Sequence, residues 1–210
     1  MKKALSLIIA VVMVFSMCIP ASAAEPAANW IGGAVELKEI SFEEAVVRRM
    51  QHDGISYEAA KAELLEEENR ILSRIQARSV SRSDIFRYYD YEKNFTYSKN
   101  SNFVCALCAS IRLFLDDGST WYIDDIFDES TRRISGIGAY EWIEQSGGWS
   151  TIWAGRRSAD IGGKGYFQVT VSTSSGVSGS LAGFTVSGTV GHNTIYQSDT
   201  ISPRATYYVS

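Results

Sequence analysis

Residues 103–115, Phe-Val-Cys-Ala-Leu-Cys-Ala-Ser-Ile-Arg-Leu-Phe-Leu, decide the fold class. The odd positions Phe103, Cys105, Leu107, Ala109, Ile111, Leu113 and Leu115 are all apolar. Side chains on a strand alternate faces, so this period of two predicts a long β-strand with one face in a core. The same spacing settles how Cys105 and Cys108 read. Three residues apart on a strand, they stand about 10 Å apart and point to opposite faces. A disulfide needs Cα atoms within about 7 Å. Cys105 therefore reads as a small buried hydrophobe, and the pair as neither a disulfide nor a redox motif. No second C-x-x-C or neighbouring His completes a zinc site.

The strand pattern continues on both sides. Asp116-Asp117-Gly118 is a tight turn in which Gly118 takes a positive φ. β-Branched and aromatic segments bounded by turn residues predict strands near 86–91, 94–99, 120–127, 133–145, 149–156, 165–173, 183–190, 194–197 and 205–209. Ser146-Gly147-Gly148 reads as another turn, and 173–183 as a Ser/Gly-rich loop. Eight to ten strands without intervening helices predict an antiparallel β-sandwich or barrel over 84–210.

Upstream the character is helical. Ser41-Phe42-Glu43-Glu44 is a capping box that starts a helix from Phe42 to about His52, ended by Gly54. Ile55-Ser56-Tyr57-Glu58 starts a second helix running to about Arg78. Residues 40–80 thus form a helical hairpin, joined to the β region by the polar stretch Ser79–Ser83. The expected fold is mainly β, and α+β overall. Residues 24–39 show no periodicity and read as a lead-in.

Residues 1–23 read as a secretory signal peptide. Lys2 and Lys3 precede an apolar run, Pro20 breaks it, and Ala21-Ser22-Ala23 forms an A-x-A site with cleavage near Ala23 or Ala24. The apolar run is short for a spanning helix. Export makes the protein extracellular, with membrane contact only through the cleaved leader. Loss of Lys2 and Lys3 takes the formal charge from −4 to −6. That balance argues against nucleic acid, whose phosphates need a basic stripe. Residues 25–80, with 11 acidic and 7 basic side chains, are equally unsuited to a DNA-binding helix-turn-helix.

Catalytic signals are sparse. The two histidines, His52 and His192, sit at a helix end and in a turn, and there is no G-x-S-x-G elbow. Glu141 and Glu144 point to opposite faces of a strand. Asp116, Asp117, Asp124, Asp125, Asp128 and Glu129 lack any calcium-loop spacing and read as solvated charge. No cofactor or metal is expected. Aromatics stand out instead: Trp121, Tyr122, Tyr140, Trp142, Trp149 and Trp153 fall within 33 residues. Rings on a sheet face can stack on sugars or on a protein partner. These six are the candidate ligand-binding residues.

The layout is similar to that of many secreted proteins of Gram-positive bacteria. The sequence reads best as a non-catalytic extracellular β-sandwich that binds a glycan or a protein at or near the bacterial cell surface. The alternatives are an extracellular hydrolase with a carboxylate pair and a secreted envelope- or membrane-targeting effector or toxin.

Overall fold

The computed structural model describes residues 30–74, 81–116, 118–134, 140–172 and 181–209. The chain runs β1 (Trp30–Ile40), α1 (Phe42–Asp53), α2 (Tyr57–Arg74), α3 (Arg82–Ile85), β2 (Phe86–Tyr97), β3 (Val104–Asp116), β4 (Thr120–Arg133), β5 (Glu141–Ile152), β6 (Ser158–Ser172), β7 (Phe184–Val190), β8 (Asn193–Ser198) and β9 (Arg204–Tyr208). The first four strands form sheet A in the order β1-β2-β3-β4. Sheet B has the order β5-β6-β8-β7, with β9 also pairing β6. All pairings are antiparallel. The predicted leader and much of the Ser/Gly-rich loop lie outside the described residues.

The helices start and stop where their caps dictate. The Ser41 side chain accepts from the Glu44 backbone N–H, Glu44 accepts from the Ser41 N–H, and Gly54 ends α1 with φ +66°. The stretch read as a lead-in differs from expectation, because residues 30–40 form edge strand β1. Its residues bury almost nothing except Ile40, so no alternation was selected there. β1 pairs with β2 from Trp30↔Tyr97 to Ile40↔Tyr88. The helical hairpin is therefore the connection between two neighbouring strands of sheet A. The expected strands at 86–91 and 94–99 are one continuous β2.

Sheet A carries a core on each face. Tyr91, Phe95, Cys105, Leu107, Ile111 and Leu113 pack against Ile161, Phe167, Ile201 and Tyr207 of the facing sheet B region. Phe86, Tyr88 and Phe127 pack on Val46, Ala60, Leu64 and Ile71 of the helices. β3 shows this by parity. Its odd positions enter the sandwich, while Ala106, Ser110 and Arg112 are buried on the helix side. Cys105 is buried, Cys108 is half-buried, and both are free thiols.

Arg112 is the costly member of this second face. It is 2% exposed. Its Nε donates to Asp124 Oδ2 at 2.7 Å, and Nη2 lies 2.8 Å from Glu67 Oε2 of α2 and also meets Asp124. Nearby, Tyr88 donates to Glu68 Oε1 at 2.7 Å, and Arg82 donates to Glu68 Oε2 at 2.8 Å. Burial and the Glu68 carboxylate raise the Tyr88 phenol above its ordinary range.

The two sheets meet along β4 and β5. The backbone N–H and Oγ1 of Thr131 both donate to Glu144 Oε1 at 2.8 Å. Near the other end, Arg156 O accepts from the Ile123 N–H at 2.8 Å, and Arg156 Nε donates to Ile123 O at 2.7 Å. Arg112→Leu removes the buried guanidinium that Glu67 and Asp124 share and leaves each with a single arginine, Arg49 and Arg156 respectively. Urea unfolding is expected to show a loss of about 3 kcal/mol; a loss below about 1 kcal/mol would mean the ion pairs do not anchor the hairpin.

Candidate functional site

The outer face of sheet B is the sheet surface on which no helix or second sheet packs among the described residues. Pairing puts Trp149 opposite Gly162 and Thr151 opposite Asp160. On the other side of β6, Arg204 is opposite Gly162, Thr206 opposite Asp160, and Tyr208 opposite Ser158. Paired residues share a face, so these side chains form one surface across three strands. β9 confirms the parity, with Arg204, Thr206 and Tyr208 exposed and Ala205 and Tyr207 buried.

Three rings dominate this surface: Trp149 at 41%, Trp153 at 54% and Tyr208 at 71% exposure. Trp149 lies flat on β6 because position 162 is glycine; a Cβ there would collide with the indole ring. The Arg204 guanidinium sits 5.6 Å from the Trp149 ring centroid. Asp160 organises the polar part. Its carboxylate accepts from Arg204 Nη2 at 2.5 Å and from Thr206 Oγ1 at 2.7 Å. The Arg204 and Thr206 hydrogen bonds, with a smaller one from Trp153, hold its carboxyl below the usual range despite burial. Trp149 and Trp153 are four residues apart, about 13 Å along a strand. The surface thus extends along β5, with Trp149 seated on Gly162 and a carboxylate hub at Asp160.

The other four candidate rings are elsewhere. Tyr140 is buried at 4%; its OH donates to Val104 O at 2.9 Å and accepts from the Val104 N–H at 3.2 Å. Trp142 turns inward, with Nε1 donating to Thr131 Oγ1 at 2.9 Å and its ring 4.9 Å from Phe167. Trp142 and Trp149 are an odd number of positions apart and the two register shifts between them cancel, so simple alternation turns one ring inward and the other outward. The expected turn at Ser146-Gly147-Gly148 is this bulged stretch within β5. Trp121 and Tyr122 lie on sheet A. Trp121 packs against the sandwich core under Arg87, and Tyr122 stacks on Phe114 at 5.6 Å. Both rings are half-buried because sheet A has a layer on each side.

Sequence reasoning missed Asp160, Gly162, Arg204, Thr206 and Tyr208. The run Gly162-Gly163-Lys164-Gly165 was the available signal, since glycines within a strand mark close approach. Gly162 lies under Trp149 and Gly165 under Trp142.

Burial pushes the Cys105 thiol up to about 12. It also raises the Cys108 thiol, although Arg132 Nε donates to its Sγ at 3.3 Å. Neither cysteine is prepared as a thiolate nucleophile. Asp124 is paired with Arg112 and Arg156, and Asp125 with Arg49. Among the described residues no three His, Cys, Asp or Glu side chains converge as a metal site, and no helix is long and apolar enough to cross a membrane. The chain matches no protein-family model, and no curated protein or solved structure is significantly similar to it.

A carboxyl group held below its unfolded value, about 3.9, stabilises the fold above that pH. The contribution disappears as the pH falls through the folded value. Asp160→Asn is therefore expected to cost about 1 kcal/mol at pH 7, with the deficit shrinking as the pH drops below about 4. Thermal melts of both proteins from pH 7 to pH 3 measure this. A deficit that persists undiminished in acid would contradict the assignment of the hub.

Proposed function

We propose that this is an exported, non-catalytic binding protein whose sheet B outer face takes an extended glycan at or near the bacterial cell surface. The observation that carries the reading is the placement of Trp149, Trp153 and Tyr208 together on one uncovered sheet face. The rings supply stacking surface. Thr206, Thr151 and Arg204, the first and last held by the buried Asp160, supply polar groups suited to hydroxyls. The leader-like residues 1–23 support export, and the acidic charge of the remaining chain disfavours nucleic acid as the ligand.

A protein partner is the second reading, favoured by the Trp–Arg pairing of Trp149 with Arg204, since Trp, Tyr and Arg are the residues that anchor protein interfaces. Retention of the purified protein on insoluble peptidoglycan, chitin and β-glucan tests the glycan reading. Trp149→Ala and Trp153→Ala are expected to weaken retention about tenfold each, with the circular dichroism spectrum unchanged. Retention indifferent to both substitutions would remove this face from the function.

A further inference from the structure

A cavity of about 340 Å³ opens where α2 ends over β4, on the opposite side of sheet A from the sandwich core. It is lined by five arginines: Arg49, Arg70, Arg74, Arg112 and Arg156. Its carboxylates are Glu67, Asp124 and Asp125, and its apolar lining is Ile71. Guanidiniums therefore exceed carboxylates by two, in a chain whose formal charge is −4.

The carboxylates are already engaged. Glu67 and Asp124 share Arg112. Arg49 Nη2 lies 3.0 Å from Glu67 and Nη1 lies 3.6 Å from Asp125. Arg156 holds Asp124 Oδ1 at 3.2 Å and two β4 carbonyls. The fold spends effort on this last arrangement, because Arg156 is a non-glycine residue at φ +53°. That backbone conformation is uncommon for a side-chain-bearing residue. A bulge in β4, where the register shifts between Arg112 and Leu113, brings the consecutive Asp124 and Asp125 to the same cavity.

Two cations are left over. Arg70 has its one acidic neighbour, Glu66, at 3.9 Å. Arg74 makes no ion pair with any described residue. Four positions apart on α2, they sit about 6 Å from each other on one helix face. In addition, Arg112 Nη1 is buried without a hydrogen bond. A helix C-terminus carries the negative end of the dipole and disfavours an anion. The excess charge resides in the side chains.

We propose that this cavity binds a phosphate group, free or as a phosphate monoester, through Arg70 and Arg74 with Arg112, Arg49 and Arg156 behind them. Guanidinium forks match the oxygens of phosphate in pairs. A doubly charged oxyanion cancels the excess of two, whereas a single carboxylate does not. The site lies on sheet A and is independent of the aromatic face of sheet B.

Calorimetric titration at fixed ionic strength tests it, with inorganic phosphate, glucose 6-phosphate and glucuronate as probes. Both Arg70 and Arg74 are exposed, so the Arg70→Ala/Arg74→Ala double variant is expected to melt with the parent in phosphate-free buffer. The parent is expected to bind phosphate saturably, and the double variant roughly tenfold more weakly or less. Binding of inorganic phosphate alone assigns the site to the free ion; binding of glucose 6-phosphate as well assigns it to esters. No saturable binding of either, equal binding of glucuronate, or an unaltered affinity in the double variant would overturn the proposal.

Discussion

Sheet A has to satisfy two cores at once, and Arg112 marks where that demand is greatest. On β3 the odd side chains enter the sandwich, which turns the even ones to the opposite face, where Arg112 and Phe114 lie under the helical hairpin. A charged residue at such a position loses its water and must be given partners. Glu67 from α2 and Asp124 from β4 supply them. The hairpin is therefore fixed in register as well as in place, because Glu67 and Glu68 must meet Arg112 and Tyr88 respectively. The apolar contacts of Val46, Ala60, Leu64 and Ile71 hold the helices down; the ion pairs determine where they sit.

Sheet B is under no such demand. Its inner face shares the sandwich core, and its outer face is left to the solvent. This asymmetry leaves one sheet face uncovered. Rings that would fill a core on sheet A are displayed on sheet B, and Gly162 and Asp160 hold two of them in place. The turn after β5 serves both sides of the molecule. Trp153 stands on the outer face at its start, the Arg156 N–H donates to Trp153 O at 2.7 Å, and the Arg156 guanidinium reaches across to β4. One tight turn thereby ties the aromatic surface to the arginine cavity.

Much of the architecture was legible where a single physical signal acted alone. The capping box at Ser41, the stop at Gly54 and the alternation of β3 each produced the element expected. The opposed faces of Cys105 and Cys108 followed from period two. What escaped has two causes. β1 buries little, so its sequence carries no alternation to read. β4 contains bulges, one with Asp128 at φ +57°, and each reverses which parity faces inward, whereas the two in β5 cancel. The six aromatic candidates divide by parity and by sheet: Trp149 and Trp153 reach the outer face, Trp142 and Tyr140 turn into the core, and Trp121 and Tyr122 stay on sheet A. The partners of Trp149 come from β6 and β9, far along the chain, and only strand pairing brings them together.

The strands β2–β4 of sheet A carry a packed layer on each face, whereas the outer face of sheet B is uncovered and, on the proposed reading, takes the ligand. Hydroxyl-radical footprinting with and without a retained oligosaccharide tests this contrast most directly. The account predicts strong labelling of Trp149, Trp153 and Tyr208 in the free protein and protection of all three in the complex, with Tyr88, Tyr91 and Tyr140 unlabelled throughout. Ligand protection confined to the helices or to β1, with the sheet B rings labelled equally in both states, would contradict it.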